Sequence, residues 1–107
     1  MREIRVHYRN GDSVMTKISG SIERIVQYYF ESRFTFMNDN GTEYHVEANS
    51  ITFLDPTTFQ MGDAQIRVHE IYLHGRFPVT VRYTSFRPGN EPETTICAYR
   101  PGMFGWF

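Results

Sequence analysis

Residues 3–18 read EIRVHYRNGDSVMTKI, and this stretch decides the fold class. Its first half alternates apolar and polar residues from Ile4 to Tyr8, as expected for a strand that is buried on one face. Asn10-Gly11 follows and favours a hairpin turn of type I′, in which both central residues need a positive φ. Residues 13–18 then alternate in the same way. The chain is therefore predicted to open with a β-hairpin.

The composition extends this prediction to the rest of the chain. Its 107 residues include nine Phe, seven Tyr and one Trp, which favour strands. Leu, Ala and Lys, which favour helices, are scarce, and Lys17 is the only lysine. An apolar content of 40% with a net charge of −1 is typical of a folded chain. The length suits a single domain over residues 1–107.

One helix is predicted after the first hairpin. Apolar residues recur there at the spacing of one helical face: Ile22, Ile25, Val26 and Tyr29. Ser21 precedes them and is a suitable N-cap. Because Ile, Val, Tyr and Phe are weak helix formers, the alternative is one long strand running to Met37. The spacing favours a short helix over residues 22–31.

Six further strands are predicted, over residues 33–37, 42–47, 50–54, 65–74, 79–86 and 94–100. Residues 56–64 are predicted to form a loop. In the fourth of these strands the apolar positions change parity between Val68 and Ile71. A β-bulge near His69-Glu70 would insert one extra residue and keep both on one face.

These elements predict an α+β fold that is mostly β. It has about seven to eight short antiparallel strands and one short helix after the first hairpin. A curved sheet or a partly closed barrel would protect the strand edges.

Motifs of common catalytic chemistry are absent from the sequence. There is no Gly-rich phosphate loop, GxSxG, HExxH or CxxC, so neither a cofactor nor a metal is expected. Cys97 has no partner for an internal disulfide, and the start of the chain lacks the apolar run of a signal peptide. No apolar run approaches the roughly 18 residues of a membrane span. A cytoplasmic location without membrane contact is therefore expected.

Polar residues alternate with apolar ones on several strands and form the first candidate site. They are Arg5, His7, Arg9, His45, Glu47, Arg67, His69 and Arg82. If their strands are neighbours, one sheet face carries Arg and His side chains. Such a face suits phosphate or carboxylate, because the guanidinium group offers a rigid fork of donors. Binding of a nucleic acid or nucleotide is therefore one alternative function.

His45 and Glu47 are two residues apart and point the same way from one strand. The order hairpin, helix, sheet with a His/Glu/Arg face resembles that of the small microbial ribonucleases, although no family motif matches. The resemblance implies a small hydrolase in which Glu47 or His45 is the general base. This is the second alternative, and the balance of the sequence favours a protein that is not an enzyme.

The end of the chain is the second candidate site. Met103, Phe104, Trp106 and Phe107 would form a partner surface if exposed, and would cap the sheet if buried. The leading hypothesis is a small non-catalytic binding module that acts through protein–protein contact. It would resemble the inhibitors and accessory regulators of phages and mobile elements, and its partner would be another protein or a second copy in a homodimer.

Overall fold

The computed structural model describes residues 1–31, 33–55, 58–73 and 80–98. Within these ranges, eight antiparallel strands form one open sheet with a single short helix after the first hairpin. The elements are β1 (Arg2–Tyr8), β2 (Ser13–Ile18), α1 (Ile22–Glu31), β3 (Arg33–Met37), β4 (Glu43–Phe53), β5 (Thr58–Met61), β6 (Ala64–Tyr72), β7 (Thr80–Phe86) and β8 (Glu93–Ala98). The predicted fold class is confirmed, and the sheet is open rather than closed into a barrel.

The strand order is β2-β1-β4-β6-β7-β8, with β3 paired to β4 and β5 paired to β6. Two halves of β4 therefore have different neighbours. Residues 43–47 pair with β3, and residues 50–52 lie between β1 and β6.

None of the helices in the described part of the chain has the length and apolar character needed to span a membrane.

The first hairpin is confirmed, but its turn differs from the predicted type. The Tyr8 N–H donates to the Asp12 carbonyl at 2.8 Å, and the Gly11 N–H donates to the Tyr8 carbonyl at 3.0 Å. Gly11 has a φ of 92°, whereas Asn10 stays at negative φ like every other described non-glycine residue. A type I′ turn needs two positive φ values, so the connection is a longer loop that depends on Gly11 alone.

Helix α1 is confirmed at its predicted bounds, and the alternative of a long strand is wrong. The Arg24 N–H donates to the Ser21 Oγ at 3.2 Å, and the Ile25 N–H donates to the Ser21 carbonyl, so Ser21 caps the helix as predicted. The predicted helical face is buried against the sheet: Ile22, Ile25, Val26 and Tyr29. Burial of this face overcomes the weak helix propensity of its residues.

The predicted bulge in β6 is confirmed. Val68 pairs with Tyr83 and Glu70 pairs with Arg82, so His69 is the extra residue. The apolar residues on both sides of it are consequently buried on one face: Ala64, Ile66, Val68, Ile71 and Leu73. A second bulge lies in β4, where Asn49 is left between two residues that pair with β1. The two strands predicted over residues 42–47 and 50–54 are therefore one strand.

The predicted loop over residues 56–64 contains a strand that the sequence analysis missed. Thr58–Met61 forms β5 and pairs with the start of β6 through a turn at Gly62-Asp63. Gly62 has a φ of 60°. A loop was predicted because the segment is rich in turn-forming residues. In the structure, Gly62 and Asp63 form only the turn between the two strands of a hairpin.

Candidate functional site

Six neighbouring strands each place one residue in a single row across the sheet. From edge to edge the row runs Met15, Arg5, Thr52, Glu70, Arg82 and Ile96. In each strand, the residue before or after the row position points toward the core. The row therefore lies on the sheet face opposite the core, which we call the outer face. The outer face also includes the polar residues beside the row that are described below.

An ion pair lies near the middle of the row. The Arg82 Nη2 donates to the Glu70 Oε1 at 2.6 Å, and the two side chains are 32% and 25% exposed. A hydrogen bond from the Tyr72 hydroxyl lowers the pKa of the Glu70 carboxyl below its ordinary value. Burial opposes this effect, while Arg82 and His7 add to it. Glu70 is therefore a carboxylate at neutral pH, held by two neighbours.

Two histidines lie beside this pair on the outer face. His7 Nε2 is 3.0 Å from Thr52 Oγ1, and His69 Nε2 is 2.6 Å from Thr84 Oγ1. Burial lowers the pKa of His69 below its ordinary value, and the positive charges of Arg82 and Arg67 lower it further. His69 is accordingly a neutral hydrogen-bonding group at neutral pH.

The structure brings five of the predicted site residues onto this part of the sheet: Arg5, His7, Arg67, His69 and Arg82. The Arg5 Nη1 donates to the Ser13 Oγ at 3.1 Å. Arg67 lies between Thr58 and Thr84 of the neighbouring strands. The strands that carry the candidates are neighbours in the order β1-β4-β6-β7, so the strand adjacency expected from the sequence is present.

The other three predicted residues lie elsewhere, at the β3–β4 end of the sheet. His45 Nδ1 is 3.2 Å from Thr35 Oγ1, and the Arg9 Nε lies 3.5 Å from the Glu47 Oε2. The Arg9 and Glu47 side chains are nearly half exposed. His45 and Glu47 thus lie beside β3 and Arg9, away from the Glu70–Arg82 pair, and their predicted acid–base role stays a prediction.

Sequence reasoning missed Glu70, Tyr72 and Thr52. The signal for Glu70 and Tyr72 was the predicted bulge itself. Once His69 is taken as the extra residue, alternation places both on the outer face. Thr52 had no signal of its own, because it is central only through its position between β1 and β6.

The predicted aromatic site at Met103, Phe104, Trp106 and Phe107 lies outside the described residues. Among the residues that are described, no group of three or more His, Cys, Asp or Glu could hold a metal ion.

Apolar side chains lie at both ends of the row. Met15 is 51% exposed on β2, and Ile96 is 64% exposed on β8. Arg, Met and Tyr are enriched at interfaces between proteins, so the residue types of this face are suited to contact with another molecule. Comparison with known proteins gives no match: no protein-family model, no curated protein and no solved structure is similar to the chain.

Proposed function

We propose that the chain is a non-catalytic binding module whose outer face docks a protein partner, in the manner of an inhibitor or accessory regulator. The observation that supports this is the row across six strands, with an ordered polar centre and an exposed apolar residue at each end. A cytoplasmic location is proposed with it, because Cys97 is a free thiol.

The residue types of the outer face favour a protein partner. Arg, Tyr and Met are enriched in interfaces between proteins, and Arg and Tyr are frequent among the residues that contribute most to binding. Glu70 already holds Arg82 and Tyr72 in place. Binding therefore loses less side-chain entropy than it would with freely rotating groups.

The charge of the outer face indicates what the partner presents. In this part of the outer face, the positive charges of Arg5, Arg67, Arg82 and Lys17 outnumber the carboxylates of Glu70 and Glu3. A partner surface with acidic side chains in its middle and apolar side chains at its periphery matches this arrangement. We therefore propose a partner protein with an acidic patch.

Site-specific photo-crosslinking in cells tests this proposal. A photoreactive p-benzoylphenylalanine is placed at position 15 or 96 in the row. Matched controls carry it at position 14, on the other face of β2, or at position 37, which is exposed on β3. Positions 15 and 96 should give one shared adduct that positions 14 and 37 do not give, and Arg82→Ala should abolish it.

Other outcomes of the same experiment contradict the proposal. Equal adducts from all four positions would mean that the row has no preferred role. An adduct of twice the mass of the chain would show that the occupant is a second copy, as in a homodimer. An adduct sensitive to nuclease would replace the protein partner by a nucleic acid.

Binding of a nucleic acid or nucleotide is the second candidate, favoured by the three arginines and two histidines on one face. Arg5→Ala combined with Arg67→Ala should then weaken binding of a fluorescent single-stranded RNA and reduce its dependence on salt. Arg2→Ala combined with Arg24→Ala removes the same two charges away from the outer face and is the charge-matched control. Absence of binding at low salt excludes this candidate.

A further inference from the structure

A cavity of about 600 Å³ lies away from the outer face, at the end of the sheet where β5 turns into β6. Ala64 and Ile66 form its floor; they are 2% and 6% exposed and belong to the apolar core. Ser85 pairs with Ile66 across β6 and β7 and forms one wall. The cavity therefore opens on the core side of the sheet.

The size and walls of the cavity suit a small molecule. Binding pockets for small ligands are usually about 300–1,000 Å³ and mostly apolar, with a few polar groups. Here Met61 and Tyr83 add to the apolar floor, and Met61 is 42% exposed. A ligand with an aromatic or branched apolar group would cover this exposed surface.

Charged side chains also line the cavity. The Arg87 Nε lies 3.9 Å from the Asp63 Oδ1, and the side chains are 58% and 79% exposed. An ion pair this long and this exposed contributes little to stability. Arg87 can therefore turn to another anion at little cost, and its guanidinium fork matches a carboxylate.

We propose that this cavity binds a small amphipathic carboxylate. The apolar group lies on Ala64 and Ile66, and the carboxylate pairs with Arg87 in place of Asp63. The site is separate from the outer face, so its outcome does not depend on the proposed protein partner.

Isothermal titration calorimetry of the full chain with 2-naphthoate tests the proposal. We expect saturable binding to one site, and a Kd about tenfold higher for the neutral analogue 2-naphthamide, which cannot pair with the guanidinium group. Arg87→Gln should raise the Kd for 2-naphthoate by a similar factor. Arg24→Gln removes the same charge from α1 and should leave the Kd unchanged.

A second variant tests the cavity itself. Ser85→Phe fills the space above Ile66 and should abolish binding, with circular dichroism and the thermal midpoint confirming that the chain is folded. If Ser85→Phe does not fold, the test rests on the Kd of Arg87→Gln for 2-naphthoate, because Arg87 is exposed and its substitution should not disturb folding.

Two results would overturn the proposal. The first is no binding of 2-naphthoate to the unmodified chain. The second is an equal Kd for the unmodified chain and Arg87→Gln.

Discussion

The centre of the outer face and the β3–β4 end of the sheet carry the same kinds of residue with different results. At the centre, Glu70 and Arg82 lie 2.6 Å apart and are no more than about one-third exposed. At the β3–β4 end, Glu47 and Arg9 lie 3.5 Å apart and are nearly half exposed. Both pairs join a carboxylate to an arginine on neighbouring segments of chain.

The difference lies in the number of strands around each pair. The central pair has neighbours on both sides, because β4 and β8 flank β6 and β7. At the β3–β4 end, β3 flanks Glu47, whereas Arg9 lies after the end of β1 and outside the described strands. A polar side chain is therefore ordered by the strands around it and not by the pattern along its own strand.

The largest effect is expected from a deletion that changes the spacing of residues along β6, on which the position of Glu70 beside Arg82 depends. Deleting Arg67 from β6 either turns Ala64 and Ile66 outward or puts His69 in the buried position of Val68. We expect a loss of about 3 kcal/mol or more in the free energy of unfolding, measured by urea denaturation.

Deleting His69 is the matched control for this change. It removes the extra residue of the bulge and leaves Val68, Glu70 and Ile71 in regular alternation. The loss should be about 1–2 kcal/mol, from the hydrogen bond between His69 and Thr84. If both deletions unfold the chain equally, the bulge does not set the register.

The second prediction concerns the core side of the β3–β4 end. There the Tyr8 ring contacts Phe34 and Phe36 at centroid distances of 5.3 and 5.1 Å. Burial raises the pKa of Tyr8 to about 12, and Tyr29 and Tyr28 add to this effect. The unfolded chain therefore loses the Tyr8 proton first, and stability is lost as the pH rises from 10 to 12.

The loss from Tyr8 should reach about 2–3 kcal/mol at pH 12, as shown by urea denaturation at several pH values. Tyr8→Phe should reduce this dependence, while the raised pKa of Tyr29 preserves part of it. An unchanged pH dependence in Tyr8→Phe would show that the Tyr8 hydroxyl is not the group responsible.

The third prediction compares the two ion pairs directly. Glu70→Ala leaves the partly buried Arg82 without its carboxylate and should cost about 2 kcal/mol in the free energy of unfolding. Glu47→Ala removes the exposed partner of Arg9 and should cost less than about 0.5 kcal/mol. Similar costs for both variants would contradict the role assigned to the flanking strands.

The smallest effect is expected from the protonation of His69. Its pKa is lowered in the folded chain, so stability is present above its ordinary pKa and falls as acid protonates the ring. Urea midpoints at pH 7.5 and 5.5 should therefore differ less in His69→Gln than in the unmodified chain. His45→Gln, at the exposed β3–β4 end, is the control and should leave the difference in place.

Local patterns in the sequence were sufficient for the first hairpin, the helix and the bulge at His69. Each depends on residues within a few positions of one another. The same parity argument applies between Ala48 and Ile51 and would have revealed the bulge at Asn49. The turn type was wrong because Asn10-Gly11 fits more than one loop, and the length of the loop decided which was used.

The centre of the outer face could not be predicted in the same way. Glu70 meets Arg82 only because β6 pairs with β7, and Thr52 joins them only because β4 lies between β1 and β6. Alternation shows on which face a side chain lies but not which strands are adjacent. For that reason the sequence pattern selected His45 and Glu47 as candidates and missed Glu70.

Cys97 carries the single thiol of the chain, so opening of the sheet at β8 can be followed by thiol labelling without any engineered label. Cys97 pairs with Val81, which is fully buried, and packs against the core from β8, whose partner in the described chain is β7. A thiol reagent reaches it most readily when β8 separates from β7. Because Cys97 is half-buried, the labelling rate in native buffer combines direct attack with attack after this local opening. Low concentrations of urea should raise the rate before global unfolding begins if the edge opens first.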